Sequence, residues 1–549
     1  MAVNIKWMFI FVAVGMVKSQ DSEFWNDQAQ DILKRAIKRG KNLNRNVAKN
    51  TIMFLGDGMG PSTVTAARIL KGQLAGFDGE ETVLAWESFS SFGLSKTYNT
   101  DQQIADSAGS ATAFFCGVKT KAGVIGFDDS VMKKKCPANI EAASVDSVMV
   151  HAQRAGKSTG FVTTTRVTHA TPAALYAHSP QRSWETDADI PDEEAAVGCT
   201  DIAQQLISLA NNTNVILGGG RSKMLPNSES DPEYPFVKGS RKDGRNLIDE
   251  WLSGKDNASS RYVWNLDEFN KVDPVKTSHL LGLFETSHMN FESERLTDKA
   301  GEPSIAQMVE KAIKILQKNE KGFFLMVEGG RIDHGNHMGK AYISLRETIA
   351  MEEAVSKAME LTNEEDTLVI VTADHSHVLT LGGYPSKGNP ILGLVDNKIG
   401  DDNLPFTTMH YASGPGGFSE RRSYATTGKR RNLTNVDTEK PNFQQPALFG
   451  NFLETHGGED VGIYANGPMS HLVHGVHEQS YIAHVVRYAA CLDYKEHCQT
   501  RRHDYLRALY PVTHPNPSPL NEACDVGNAL GSPQTTLLAV CLAVFISVL

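Results

Sequence analysis

Five short apolar runs constrain this chain more than any other feature: "TIMFLGDG" (51–58), "STGFVTTT" (158–165), "NVILGGG" (214–220), "GFFLMVEGG" (322–330) and "TLVIVTADH" (367–375). Most close on glycine or on an acid. Runs of this length, rich in Val, Ile and Phe and bounded by glycine, read as buried strands. Between them lie longer stretches with helical spacing. In 304–316, Ile305, Met308, Val309, Ala312, Ile313 and Leu316 share one face, and 341–361 is similar. This alternation predicts an α/β fold with a largely parallel central sheet and helices on both faces.

Open parallel sheets gather ligands outside the C-terminal ends of their strands. Asp57, Glu328, Asp374 and His375 each stand just past such an end, so distant segments should converge there. In "VEGGRIDHGNHMG" (327–339), a helix starting near Asp333 would turn Asp333 and His337, four apart, to one side and His334 to another. Glu328, before two glycines, approaches separately. "TADHSH" adds Asp374, His375 and His377, "FLGDGMG" adds Asp57 between glycines, and "THGGED" adds His456. Taken singly, each could be a helix cap or an exposed histidine; together they point to metal. Imidazole and carboxylate ligands without cysteine suit zinc in open coordination, and a carboxylate and hydroxyl set suits magnesium.

In "DQQIADSAGSATAFFCGVKT", Ser107 opens a small-residue helix predicted over 107–118, directly after Asp106. A helix N-terminus favours an anion, and a serine there can be activated by a nearby metal. Ser107 does not stand in a G-x-S-x-G elbow, which disfavours a histidine-based triad built on it.

The whole chain sets further bounds. At 549 residues it is one large domain with insertions, or two domains. With 54 basic and 64 acidic residues, net charge −10, it lacks the basic surface that holds nucleic acid. Residues 1–20 carry Lys6 before an apolar run and read as a secretory signal peptide. The tail "LLAVCLAVFISVL" (537–549) is too short to span a bilayer as a helix. It follows polar "GSPQTT" and small residues, the pattern of a glycosylphosphatidylinositol (GPI) signal, with Asp525, Gly527 and Asn528 as attachment candidates. The expected location is the outer face of the plasma membrane. Seven cysteines suit secretion: Cys491 and Cys498 close a short loop and are expected to pair, and Cys136 and Cys199 are further disulfide candidates whose partners sequence leaves open. Asn211, Asn257 and Asn432 head glycosylation sequons. Residues 21–49 read as an amphipathic helical arm, and 382–445, richer in Gly, Pro, Ser and Asn, as an inserted surface subdomain. The catalytic domain would then be 50–381 with 446–500, and 501–536 a linker.

The set "FLGDGMG", "DSAGSATAFFCG", "RVTHATPA", "EGGRIDHGNH", "TADHSH" and "ETHGGEDV…HLVHGVHEQ" resembles the alkaline phosphatases of the eukaryotic, membrane-anchored type, in order from about Asn50 to Cys498. The resemblance implies an extracellular phosphomonoesterase, a homodimer with a crown-like insert, using two zinc ions and one magnesium. It places Ser107 as the nucleophile that becomes phosphorylated and Arg182 on the phosphate. Asp333, His337 and His456 match the first zinc, and Asp57, Asp374 and His375 the second. Asp57, Glu328 and Thr171 match magnesium, with Asp106, His169, His334 and His377 in support. Glu233, the Phe284 carbonyl, Glu285 and Glu302 match a candidate calcium site, although Glu302 stands where Asp is common. A phosphodiesterase or sulfatase would present Thr or a modified Cys in place of Ser107.

Overall fold

The computed structural model describes residues 22–41, 43–208 and 212–493. The five apolar runs form β1 (Asn50–Gly56), β3 (Ser158–Arg166), β4 (Val215–Gly219), β7 (Phe323–Gly329) and β8 (Thr367–Ala373). Five strands not foreseen extend the sheet: β2 (Ser91–Lys96), β5 (Ser260–Val263), β6 (His279–Leu283), β14 (Val461–Asn466) and β15 (Gly475–Glu478). Their order is β15-β2-β14-β8-β1-β7-β3-β4-β6-β5. From β8 to β5 all neighbours are parallel; β14 runs against both β8 and β2.

Alternation along the central strands divides their side chains between two cores. Met53, Leu55, Phe324, Met326, Leu368 and Ile370 point into one, with the helices Ser107–Cys116, Val148–Arg154 and Tyr481–Ala489. Ile52, Phe54, Leu325, Val327, Val369 and Val371 point into the other, against the helices Ile305–Leu316 and Ala341–Leu361. Both faces are dry, which is why these strands read as unbroken apolar runs. Ile305–Leu316 begins with a capping box in which Ser304 accepts from the Gln307 amide and Gln307 from that of Ser304, a device worth about 1 kcal/mol.

Register positions the site. Gly56 of β1 lies level with Gly329 of β7 and Ala373 of β8. Asp57 and Asp374 therefore leave adjacent strands at one height, with Glu328 still on β7 two positions below them. Two minor sheets cover this edge. β9 (Ser376–His377) pairs with β13 (His456–Gly457), which sets His377 opposite His456. β10 (Leu379–Leu381), β11 (Met409–Gly414) and β12 (Ala447–Gly450) form a three-stranded sheet beside the helix Gly416–Thr427. This sheet reaches a few residues past 382–445 at either end.

The arm contains the helix Ser22–Lys41, with Ile32, Leu33 and Ile37 exposed. Among the described residues no helix is long and apolar enough to cross a membrane. Cys136 and Cys199 form a disulfide across 63 positions. Cys491 is disulfide-bonded as well. Its expected partner Cys498 lies outside the described residues, as do Asn211, the signal, the linker, Asp525, Gly527, Asn528 and the tail. Asn257 and Asn432 are exposed.

Candidate active site

Ser107 is the first residue of a buried helix that ends at Cys116, two residues earlier than expected, because Gly117 takes a left-handed conformation (φ 83°). Asp106 caps it, accepting from the amides of Gly109 (3.1 Å) and Gly123 (2.9 Å) and from Asn99 Nδ2 (3.1 Å). Its other oxygen pairs with Arg182 Nη1 at 3.1 Å. Burial pushes the Asp106 carboxyl up, but Arg182 and the two amides outweigh this and hold it below the usual range. Arg182 is thereby fixed beside Ser107, with Nη2 3.2 Å from His169 Nε2.

Ser107 Oγ lies 3.2 Å from His375 Nε2 and 3.5 Å from Asp57 Oδ1. Asp57, Asp374 and His375 bring one ligand atom each within 4.8 Å of the others. His375 Nδ1 donates to the Ser376 carbonyl, leaving Nε2 as a bare lone pair 3.0 Å from Asp374 Oδ2. That oxygen makes no hydrogen bond. Asp374 Oδ1 accepts from the amides of Gly58 and His375, both at 2.9 Å.

Asp333, on the helix Arg331–His337, meets His337 (3.3 Å), His456 (3.5 Å) and His377 (2.8 Å) through Oδ1. His337 Nδ1 donates to the Glu454 carbonyl (2.6 Å) and His456 Nδ1 to the Ala105 carbonyl (2.7 Å). Both Nε2 lone pairs are then unprotonated, yet they face each other at 3.1 Å. Two lone pairs at that distance repel, and a shared cation removes the conflict. His377 differs, because its two nitrogens are taken by Asp333 and by the Glu454 carboxylate. Burial opposes a charge on His377, but Glu454 and Asp333 outweigh it and push the imidazolium up to about 10. His377 thus braces Asp333.

Behind Ser107, Glu328 Oε2 accepts from the hydroxyls of Thr163 and Thr165. Glu328 Oε1, Asp57 Oδ2 and Thr171 Oγ1 are buried without a hydrogen bond, although the Thr171 hydroxyl lies near enough to favour the Glu328 charge. Burial, then Asp374, Asp333 and Glu328, push the Asp57 carboxyl well above the usual range; burial pushes Glu328 up to about 7. Carboxylates so packed ionise only beside cations. Orphaned oxygens and facing lone pairs are what metal ligands look like without their ions, so the donor sets fit the expected metals. His169 lies within 4.8 Å of Asp57 and Glu328.

At the calcium candidate, Glu233, Glu285 and Asp298 converge within 4.8 Å. Phe284 and Glu285 follow β6. Asp298 was not anticipated; it lies four residues before Glu302 in "TDKAGE". Glu302 is outside that trio: its Oε1 accepts from the Asn290 amide at 2.8 Å, and its Oε2 is orphaned. Burial and Glu285 push Glu302 up to about 8. Glu454 and His288 were missed too. Glu454 stands in "ETHGGED", two residues before His456, so its place in the motif was the available signal.

Comparison with known proteins agrees. The alkaline phosphatase family model matches residues 48–492. The chain is 50% identical over 486 residues to the tissue-nonspecific alkaline phosphatase isozyme of Felis catus, covering 88% of this chain and 91% of that one. It is 49% identical over 479 residues to the Homo sapiens isozyme (86% and 90%), and 46% over 475 residues to alkaline phosphatase of Gadus morhua (86% and 98%). Two bacterial alkaline phosphatase structures share the fold. That from Thermus thermophilus has TM-score 0.58 at 23% identity, covering 82% of this chain and 93% of that one. That from the Antarctic bacterium TAB5 has TM-score 0.55 at 22% identity, covering 82% and 100%. The fold and site define a metal-dependent phosphate monoester hydrolase. The chain belongs to the alkaline phosphatase family, in its eukaryotic type.

Proposed function

We propose that this chain is an extracellular, membrane-anchored phosphomonoesterase that works through a phosphoserine at Ser107. The observation carrying this reading is Ser107 Oγ at a helix N-terminus, 3.2 Å from His375 Nε2, beside an Arg182 held in place by Asp106. Zinc at Asp333, His337 and His456, zinc at Asp57, Asp374 and His375, and magnesium at Asp57, Glu328 and Thr171 would neutralise the substrate's charge and lower the pKa of the serine hydroxyl.

The chain's own groups do the rest. The Arg182 fork holds two phosphoryl oxygens. The helix N-terminus adds amides to the same anion. Ser107 Oγ loses its proton and bonds to phosphorus as the ester P–O bond breaks, and the departing alkoxide takes up one proton in exchange and leaves as the alcohol. Water then attacks phosphorus from the vacated side, releasing phosphate and restoring Ser107.

A homodimer is supported by family membership and by exposed Leu448, Phe449, Phe452 and Leu453 at the small sheet. Anchoring to the outer membrane face rests on the apolar tail after small residues, and glycosylation on exposed Asn257 and Asn432. Calcium is proposed at Glu233, Glu285 and Asp298, with the Phe284 carbonyl and Glu302 adjoining. Replacing Ser107 by Ala tests the central claim. Hydrolysis of an aryl phosphate should fall by at least three orders of magnitude with zinc and magnesium retained; undiminished turnover would sink the nucleophile assignment.

A further inference from the structure

A third group of histidines stands outside the ligand sets above. His169, His288 and His334 offer ring nitrogens that all lie within 4.8 Å of one another. Their rings meet edge to face, with centroids 4.4 Å apart for His288 and His334, 5.2 Å for His169 and His288, and 5.9 Å for His169 and His334. They come from three elements: the turn after β3, the loop after β6 and the helix Arg331–His337. His288 and His334 remain partly accessible to solvent, while the ring of His169 is buried.

The polar bookkeeping around the rings is incomplete. His169 Nδ1 is buried with no hydrogen bond. His288 has donors against both nitrogens, the Arg166 amide at Nδ1 (3.4 Å) and Arg166 Nη1 at Nε2 (2.5 Å). A neutral imidazole has one lone pair to offer and cannot satisfy both. His334 Nδ1 faces Arg331 Nη1 at 2.9 Å. Three guanidinium groups thus border the cluster, and two of them are paired with carboxylates. Arg166 pairs two-pronged with Glu185 (2.7 Å to each oxygen), Arg182 with Asp106, and Arg331 is drawn to Glu347. Glu185 and Asp106 offset two of the three cations around the rings.

We infer that His169, His288 and His334 form an additional transition-metal site, distinct from the magnesium set of Asp57, Glu328 and Thr171 that His169 adjoins. Three imidazoles and no carboxylate select zinc, nickel or copper over magnesium and calcium. A triangle of nitrogens at the outer limit of 4.8 Å puts a central ion about 2.8 Å from each. Contraction by about 0.7 Å reaches zinc–nitrogen bonding distance. Imidazole rotation with withdrawal of Arg166 and Arg331 supplies it, and three protein ligands leave one position for water.

The full chain, purified with its zinc and magnesium, is dialysed against micromolar Zn2+ in the presence of Mg2+, beside the His288→Asn variant. Elemental analysis should find one more zinc per native chain than per variant chain, with equal magnesium. The extra zinc should bind at least tenfold more weakly to the variant. Cu2+ titrated into the native protein should give an electron paramagnetic resonance spectrum with nitrogen couplings that the variant lacks. Equal zinc in both proteins, or extra zinc only at the expense of magnesium, overturns the inference. If the variant fails to fold, a native Cu2+ spectrum without nitrogen coupling overturns it alone.

Discussion

Gly58 occupies the space between two parts of the site, and Gly58→Ala tests whether bracing by His377 matters. A methyl there would lie 2.4 Å from His377 Nε2 and 3.2 Å from Asp333 Cα. The imidazole would have to retreat by about 1 Å to reach ordinary contact distance. Its 2.8 Å bond to Asp333 would then pass the limit of a hydrogen bond. Losing such an outer partner weakens metal binding roughly 10–100-fold, about 1.4–2.7 kcal/mol. Backbone strain is a separate effect, because φ at Gly58 is +68°, and a side chain there costs about 1–2 kcal/mol. Gly428→Ala separates the two: φ is +69° and nothing lies within 4 Å. Zinc affinity, measured by competition with a chelator, should fall 10–100-fold in Gly58→Ala and stay native in Gly428→Ala, while both lose comparable stability. Native zinc affinity in Gly58→Ala would refute the bracing role.

Glu328→Gln should strip magnesium while zinc content is unchanged, as read by elemental analysis; joint loss of both would mean the sets are not separable. Cys136→Ser opens a loop with a sequence separation of 63 and should cost about 4 kcal/mol on chain-entropy grounds, seen as a lower unfolding midpoint that reductant equalises between the two proteins. Phe452→Asp puts a charge on an 87% exposed phenylalanine and should shift sedimentation from dimer to monomer; an unchanged mass would remove this loop from the interface.

The strands legible in sequence were those buried on both faces, such as β7 and β8, where every residue is inside. β2 and β14 alternate between buried and more open positions, and β5 has four residues; neither pattern stands out from loop. At the site, motif residues near strand ends could be named because chain direction alone carries them to one edge. Asp298 and His288 could not, since each reaches its neighbours through the path of a loop. The split of "VEGGRIDHGNHMG" was visible in spacing, but not the tautomers, which depend on carbonyls of Glu454 and Ala105 more than a hundred positions away.

The level ends of β1, β7 and β8 carry a consequence for how the molecule comes into being. Asp57 is hundreds of residues from Glu328 and Asp374 along the chain, and the three meet only when three parallel strands are in register. Such non-local pairings form slowly, after local helices. A one-residue slip in any of them would send a carboxylate to the wrong height and face. Recovered phosphatase activity during refolding should therefore lag behind recovered helix content, making turnover a reporter of the last long-range step in maturation.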